Sequence, residues 1–177
     1  GGGARTFAVG FSIGNKGYIG TGRDSLSFRK KDFWEYDPAT NAWTQKADFG
    51  GAARSYAVGF SIGTKGYIGT GSVGYPDYYA KDFWEYDPTS NTWTRKADFG
   101  GAARSDAVGL SIGSKGYLGT GLNYLTYYKD FWEYDPLNNT WIQKADFGGT
   151  ARSSAVGFSI SNKGYLGTGF DGDYTKD

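Results

Sequence analysis

Over Ala8–Ile13 the chain alternates: Val9, Phe11 and Ile13 fall on one side of an extended backbone, and Ala8, Gly10 and Ser12 on the other. A tight Gly-Asn-Lys-Gly turn follows, then a second extended run, YIGTG, at 18–22. In DFWEY (32–36), Phe33 and Glu35 share one side while Trp34 and Tyr36 share the other. A fourth run, AWTQKA, occupies 42–47. No stretch shows sustained helical periodicity with capping signals. Runs of about five residues between glycine and proline turns predict a meander of antiparallel hairpins, and so an all-β chain. In the turn YDPATNAW, Asp37 is placed to accept backbone N–H groups, Pro38 presets φ, and Asn41 tolerates a left-handed conformation before Trp43 starts the next strand.

The pattern repeats. KDFWEYDP stands at 31–38, 81–88 and 129–136. From each of Arg5, Arg54, Arg104 and Arg152 to the end of the next GTG the length is constant: 5–22, 54–71, 104–121 and 152–169. From each KD to the following arginine it is constant again: 31–54, 81–104 and 129–152. All length variation falls in one loop, 23–30, 72–80, 122–128 and 170–175, as expected of a scaffold with one tolerant face. The units divide as 1–49, 50–99, 100–147 and a half unit at 148–177. A four-stranded sheet with aromatics on both faces cannot bury them alone and must stack on a copy of itself. Burial of one large aromatic contributes about 1.5–3 kcal/mol. The tryptophan pairs 34/43, 84/93 and 132/141 are therefore expected to cement neighbouring sheets. Four strands per unit of about 50 residues is the period of a propeller blade.

These residues resemble kelch-repeat β-propellers. The likeness is carried by GYIGTG (17–22), Tyr36 of EYDP, Trp93 of NTW and the arginine ahead of each first strand. It is closest to the secreted bacterial kelch-like proteins that carry FWEYDP followed by NTWTQKADFGG. One departure stands out: the family's glycine pair is here Thr21-Gly22, Thr70-Gly71, Thr120-Gly121 and Thr168-Gly169. The resemblance implies a toroid of four-stranded antiparallel blades, about three and a half of them in this chain. The first strand would be innermost and the tryptophan strand outermost. The loop joining blades and the loop after the second strand would share the usual binding face. It also implies an extracellular or cell-surface location. Closed propellers have about four to eight blades, so the chain is expected to be part of a longer propeller, to meet a complementary propeller fragment, or to self-associate as a homo-oligomer.

Composition narrows the chemistry. Lysine and arginine total 19 against 18 acidic residues, a net charge of +1, so neither nucleic acid nor a membrane surface is an expected partner. With no histidine and no cysteine, the commonest general base and the commonest soft metal ligands are missing. That excludes the copper-oxidase relatives of the family, whose site requires both. Asp171, Gly172 and Asp173 form an acidic loop, but two carboxylates are too few for Ca²⁺. No metal, cofactor or catalytic set is expected. Asp32, Asp82, Asp130 and Asp177 are expected to satisfy backbone donors at a strand start.

Three groups are candidate ligand-binding residues. The first is the framework position with chemically unlike occupants, Phe7, Tyr56, Asp106 and Ser154, against which stands drift at an exposed spot. The second is the aromatic content of the variable loops: Phe28; Tyr75, Tyr78 and Tyr79; Tyr124, Tyr127 and Tyr128; Phe170 and Tyr174. Such rings suit sugar stacking or protein contact, unless they fold back over the sheet edges. The third is Arg5, Arg54, Arg104 and Arg152, a basic ring for an anion or, as the better reading, recurrent ion pairs with Glu35-type or Asp48-type partners. The expected function is a non-catalytic scaffold that binds a protein or a glycan. The alternatives are a sugar-acting enzyme of epimerase or mutarotase type, and a self-assembling structural module.

Overall fold

The structure, a computed structural model, describes residues 2–176. Its elements are all strands, and no helix occurs among the described residues. The first unit folds as β1 (Val9–Ile13), β2 (Lys16–Gly20), β3 (Phe33–Asp37) and β4 (Ala42–Lys46). The second holds β5 (Val58–Ile62), β6 (Lys65–Gly69), β7 (Ser72–Gly74), β8 (Tyr78–Tyr79), β9 (Phe83–Asp87) and β10 (Thr92–Arg95). The third holds β11 (Val108–Ile112), β12 (Lys115–Gly119), β13 (Leu122–Asn123), β14 (Thr126–Tyr127), β15 (Phe131–Asp135) and β16 (Thr140–Lys144). The fourth holds β17 (Val156–Ile160), β18 (Lys163–Gly167), β19 (Gly169–Phe170) and β20 (Tyr174–Thr175). Three four-stranded antiparallel sheets result, β1-β2-β3-β4, β5-β6-β9-β10 and β11-β12-β15-β16, followed by the two-stranded β17-β18. The first strands β1, β5, β11 and β17 lie next to one another in sequence.

Local chemistry sets the strand ends. The second run stops at Gly20, two residues short of the expected Gly22, because Thr21 (φ 58°) and Gly22 (φ 89°) turn the chain out of the sheet. A β-branched residue rarely adopts that conformation. Thr70, Thr120 and Thr168 do the same at φ 57°, 59° and 60°. The third strand turns over Pro38–Asn41 much as its composition suggests. Asp37 Oδ1 accepts the Ala39 N–H at 2.9 Å, and Asn41 sits at φ 53° with its Oδ1 accepting the Tyr36 hydroxyl.

The sheets pack face to face, and each interface uses two different faces of the repeat. Val9, Ile13, Tyr18, Phe33 and Phe49 of the first unit meet Ile68, Tyr86, Trp84 and Trp93 of the second. Val58, Phe60, Ile62, Tyr67, Phe83 and Phe99 of the second meet Leu118, Tyr134, Trp132 and Trp141 of the third. The tryptophans of the second and third units do join neighbouring sheets, and they do so in one direction, reaching back to the preceding unit. Trp93 lies 5.0 Å from Phe33 and 5.1 Å from Phe49 in T-shaped contact, and its Nε1 donates to the Ala47 carbonyl. Trp141 repeats this on Phe83, Phe99 and Ala97. Trp43 is 43% exposed, and among the described residues its ring meets only Tyr36. The close approach explains the glycine pair after the first two ADF runs, whereas a Cβ on Gly148, after the third, would meet nothing within 4 Å. A Cβ on Gly50 would sit 2.7 Å from the Trp84 ring, and one on Gly51 would meet Phe49, Arg54 and Asp82 within 2.9 Å.

Candidate functional site

Phe7, Tyr56, Asp106 and Ser154 form a row. Each takes a left-handed backbone (φ 57°, 57°, 54° and 55°) two residues after its arginine. The Tyr56 N–H donates to the Phe7 carbonyl (3.0 Å), Asp106 to Tyr56 (3.2 Å) and Ser154 to Asp106 (3.0 Å). One residue from each unit is thereby set beside the next by backbone bonds that ignore side-chain identity. This accounts for unlike occupants in a uniform frame. The preceding residues Thr6, Ser55, Ser105 and Ser153 bridge to Arg23, Ser72, Leu122 and Phe170, where the variable loops start. The row and the loops therefore share one edge of the sheets.

The loops touch one another in sequence. Arg29 donates through Nε and Nη2 to Ser72 of the second loop, both at 3.0 Å. Tyr78 and Tyr79 lie 6.1 and 5.2 Å from Tyr124 of the third loop, and Tyr75 leans on Tyr78. Tyr127 meets Phe170 of the fourth loop, which meets Tyr174. Phe28, Tyr75, Tyr78, Tyr124 and Tyr174 are exposed, whereas Tyr79, Tyr127 and Phe170 are half-buried between loops. Tyr128 is half-buried too, with Arg104 3.9 Å from its ring centroid, which makes it part of the frame. At the head of the row Phe7 and Tyr56 stack at 3.9 Å. The Arg23 guanidinium lies 4.8 and 5.6 Å from their rings, and its Nη2 donates to the Tyr56 hydroxyl. Further along, burial pushes the Asp106 carboxyl above its ordinary range, although the Ser105 and Ser154 hydroxyls favour its charged form.

The four arginines do not belong to this face. Arg54, Arg104 and Arg152 are buried. Arg54 donates to the Ala52 and Thr70 carbonyls and pairs with both oxygens of Asp82 at 2.7 and 2.8 Å, above the Phe49 ring. Arg104 does the same with Ala102, Thr120, Asp130 and Phe99. Arg5 pairs with Asp32, and Arg152 donates to the Thr150 and Thr168 carbonyls over Phe147. The ion-pair reading had the wrong partner. Glu35 accepts instead from the Tyr18 hydroxyl and Lys16. The reading of the KD aspartates is corrected likewise: the main partners of Asp32, Asp82 and Asp130 are a guanidinium and the indole N–H of Trp34, Trp84 or Trp132, rather than strand-start backbone donors. Asp177 lies outside the described residues. Asp171 accepts the Thr150 hydroxyl and the Asp173 N–H within its own turn.

Arg23 and Arg29 escaped sequence reasoning. Their signal was available: of the four variable loops, only 23–30 contains arginine.

No family model matches the chain, and no curated protein matches it. A solved structure, "Structure of YjhT", superposes with a TM-score of 0.80 at 18% identity over 97% of this chain. That likeness shows the fold alone. The chain spans 61% of the length of that structure.

Proposed function

We propose that the chain is an arc of kelch-type β-propeller blades acting as a non-catalytic binding scaffold, with a protein or glycan ligand held on the loop-bearing edge. The observation that carries this is continuity. Adjacent loops contact each other across all four units and present exposed rings, beside a row whose backbone is uniform and whose side chains are free to differ. The stacked Phe7–Tyr56 pair capped by Arg23 offers a flat apolar surface edged with donors, which suits a sugar ring or an aromatic-rich peptide. The test is a glycan and protein array probed with the chain and with a Phe7→Ala/Tyr124→Ser double variant. Ligands bound by the first and lost by the second support the reading; no ligand, or equal binding by both, removes it.

A second reading, a sugar-acting enzyme, draws on Asp106, a carboxyl raised by burial near that shelf. Turnover of a sugar substrate that survives in Asp106→Asn would remove Asp106 from the chemistry.

A further inference from the structure

Two arginines stand apart from the rest in their charge balance. Arg5, Arg54, Arg95 and Arg104 each pair with an aspartate. Arg23 and Arg29 are half-buried, yet among the described residues neither has a carboxylate within ion-pair distance. Both stand on the first variable loop, where their backbones face each other in an antiparallel bridge. Like charges directly opposite on such a pair repel. The other units put Ser72, Leu122 and Phe170 at the position of Arg23, so the cationic pair is particular to this loop.

The two guanidiniums reach forward to one place in the second unit, an interface complete within this chain. Arg23 Nη2 donates to the Tyr56 hydroxyl at 3.3 Å, and Arg29 donates to the carbonyl and hydroxyl of Ser72. Ser72 is bridged to Ser55, the residue before Tyr56. Burial pushes the Tyr56 hydroxyl up, and the fields of Arg23 and Arg29 both act against it, so both charges are felt at that oxygen. Asp106 acts on Tyr56 as well, but its own carboxyl resists ionisation and is held by the Ser105 hydroxyl. These bonds leave Arg23 Nε and Nη1 and Arg29 Nη1 without an acceptor among the described residues. Gly74 keeps the last of these clear, since a Cβ there would stand 2.8 Å from it.

We infer that Arg23 and Arg29 form a site for a dianionic tetrahedral oxyanion, a phosphate group taken as the free ion or as a monoester. The charge count selects the class. Two guanidiniums without a carboxylate are neutralised by one dianion, whereas a carboxylate answers only one of them. Guanidinium N–H groups make strong charge-assisted bonds to phosphate oxygens, and a phosphomonoester carries a charge of about −1.5 to −2 at neutral pH. The stacked Phe7 and Tyr56 rings beside Arg23 would receive the organic part of an ester. Only that last contact rests on the reading of the loop edge as a binding scaffold; capture of the anion needs the two arginines alone.

The experiment is calorimetric titration of the chain with inorganic phosphate, phenyl phosphate and acetate at neutral pH and low ionic strength. Expected is saturable one-to-one binding of phosphate, with acetate weaker by about tenfold or more. Arg23→Gln and Arg29→Gln should each weaken phosphate by about tenfold or more, and Arg29→Lys should recover part of that loss by restoring the charge without the fork. Lys31→Gln removes an exposed cation outside the pair and should change binding less than about twofold. Without phosphate the thermal midpoint of Arg23→Gln should not fall, because the variant relieves a like-charge contact; this separates lost binding from a lost fold. Tighter binding of phenyl phosphate, with the advantage gone in Phe7→Ala, assigns the site to an ester, and equal binding assigns it to the free ion. The inference is overturned if phosphate does not saturate, if either glutamine variant binds undiminished, if Lys31→Gln loses as much, or if acetate binds as tightly as phosphate. An array that yields no protein or glycan ligand would leave the phosphate titration standing, so the two proposals fail separately.

Discussion

At the scale of single residues, the repeats act as internal controls. The two-residue turn between first and second strands begins with glycine in three units, Gly14, Gly63 and Gly113 at φ 57°, 56° and 57°. The fourth unit puts Ser161 there at φ 54°. A side chain in that region costs about 1 kcal/mol or more. Ser161→Gly should therefore raise stability by about 1 kcal/mol, read as an increased urea midpoint with an unchanged slope. The carboxylates predict opposite pH trends. Burial alone would raise Asp82, but its paired bonds from Arg54 outweigh this and hold it below the usual range. Its contribution is present above the unfolded-state pKa and lost as pH falls through the lower folded one. Asp106 is raised, so the folded state resists its ionisation and stability drops as pH climbs past the ordinary carboxylate range. Asp106→Asn should be the more stable protein at neutral pH, with the advantage vanishing in acid. Urea midpoints of both proteins measured from acid to neutral pH check this.

At the scale of elements, the strand DFWEY distributes its side chains to three tasks. Phe83 fills the core toward the next sheet, Trp84 and Tyr86 face the previous one, and Glu85 accepts the Tyr67 hydroxyl on its own sheet. The period-two pattern made the strand legible, but it could not say which neighbour each face would meet. That direction separates equivalent tryptophans. Trp93→Ala should cost about 3–5 kcal/mol, the range for emptying an aromatic core site. Trp43→Ala should cost under about 1 kcal/mol, since Trp43 is 43% exposed with one ring contact. Thermal or urea unfolding of the two variants, side by side, decides the matter. The short hairpins β7–β8, β13–β14 and β19–β20 were not legible. The loops holding them share no common wording, so repetition offered no signal, and each is fixed by its bridge to the residue after an arginine.

At the scale of the molecule, each sheet is supported by its neighbours, so stability should fall off from the centre. The second sheet is covered on both faces, whereas Val156, Phe158 and Ile160 of β17 are each more than half exposed. Amide exchange should be slowest over β5, β6 and β9 and fastest over β17 and β18; uniform protection along the chain would contradict the stacked scheme. The sequence alone determined the strand order, the turns and the four-stranded unit, because those depend on neighbours within about fifty residues, and repetition displays them three times over. It also marked the row of Phe7, Tyr56, Asp106 and Ser154 by the contrast between a constant setting and unlike occupants. Only the tertiary structure decided the partners of the arginines. Glu35, Asp48 and Asp32 recur at equally regular spacing, and the choice of the KD aspartate comes from where the guanidinium is held, as Arg54 is held beside Asp82 by the Thr70 carbonyl after β6 and the ring of Phe49. The contact of one loop with the next was settled at the same level. Side chains far apart along the chain become neighbours only when the sheets that carry them are stacked.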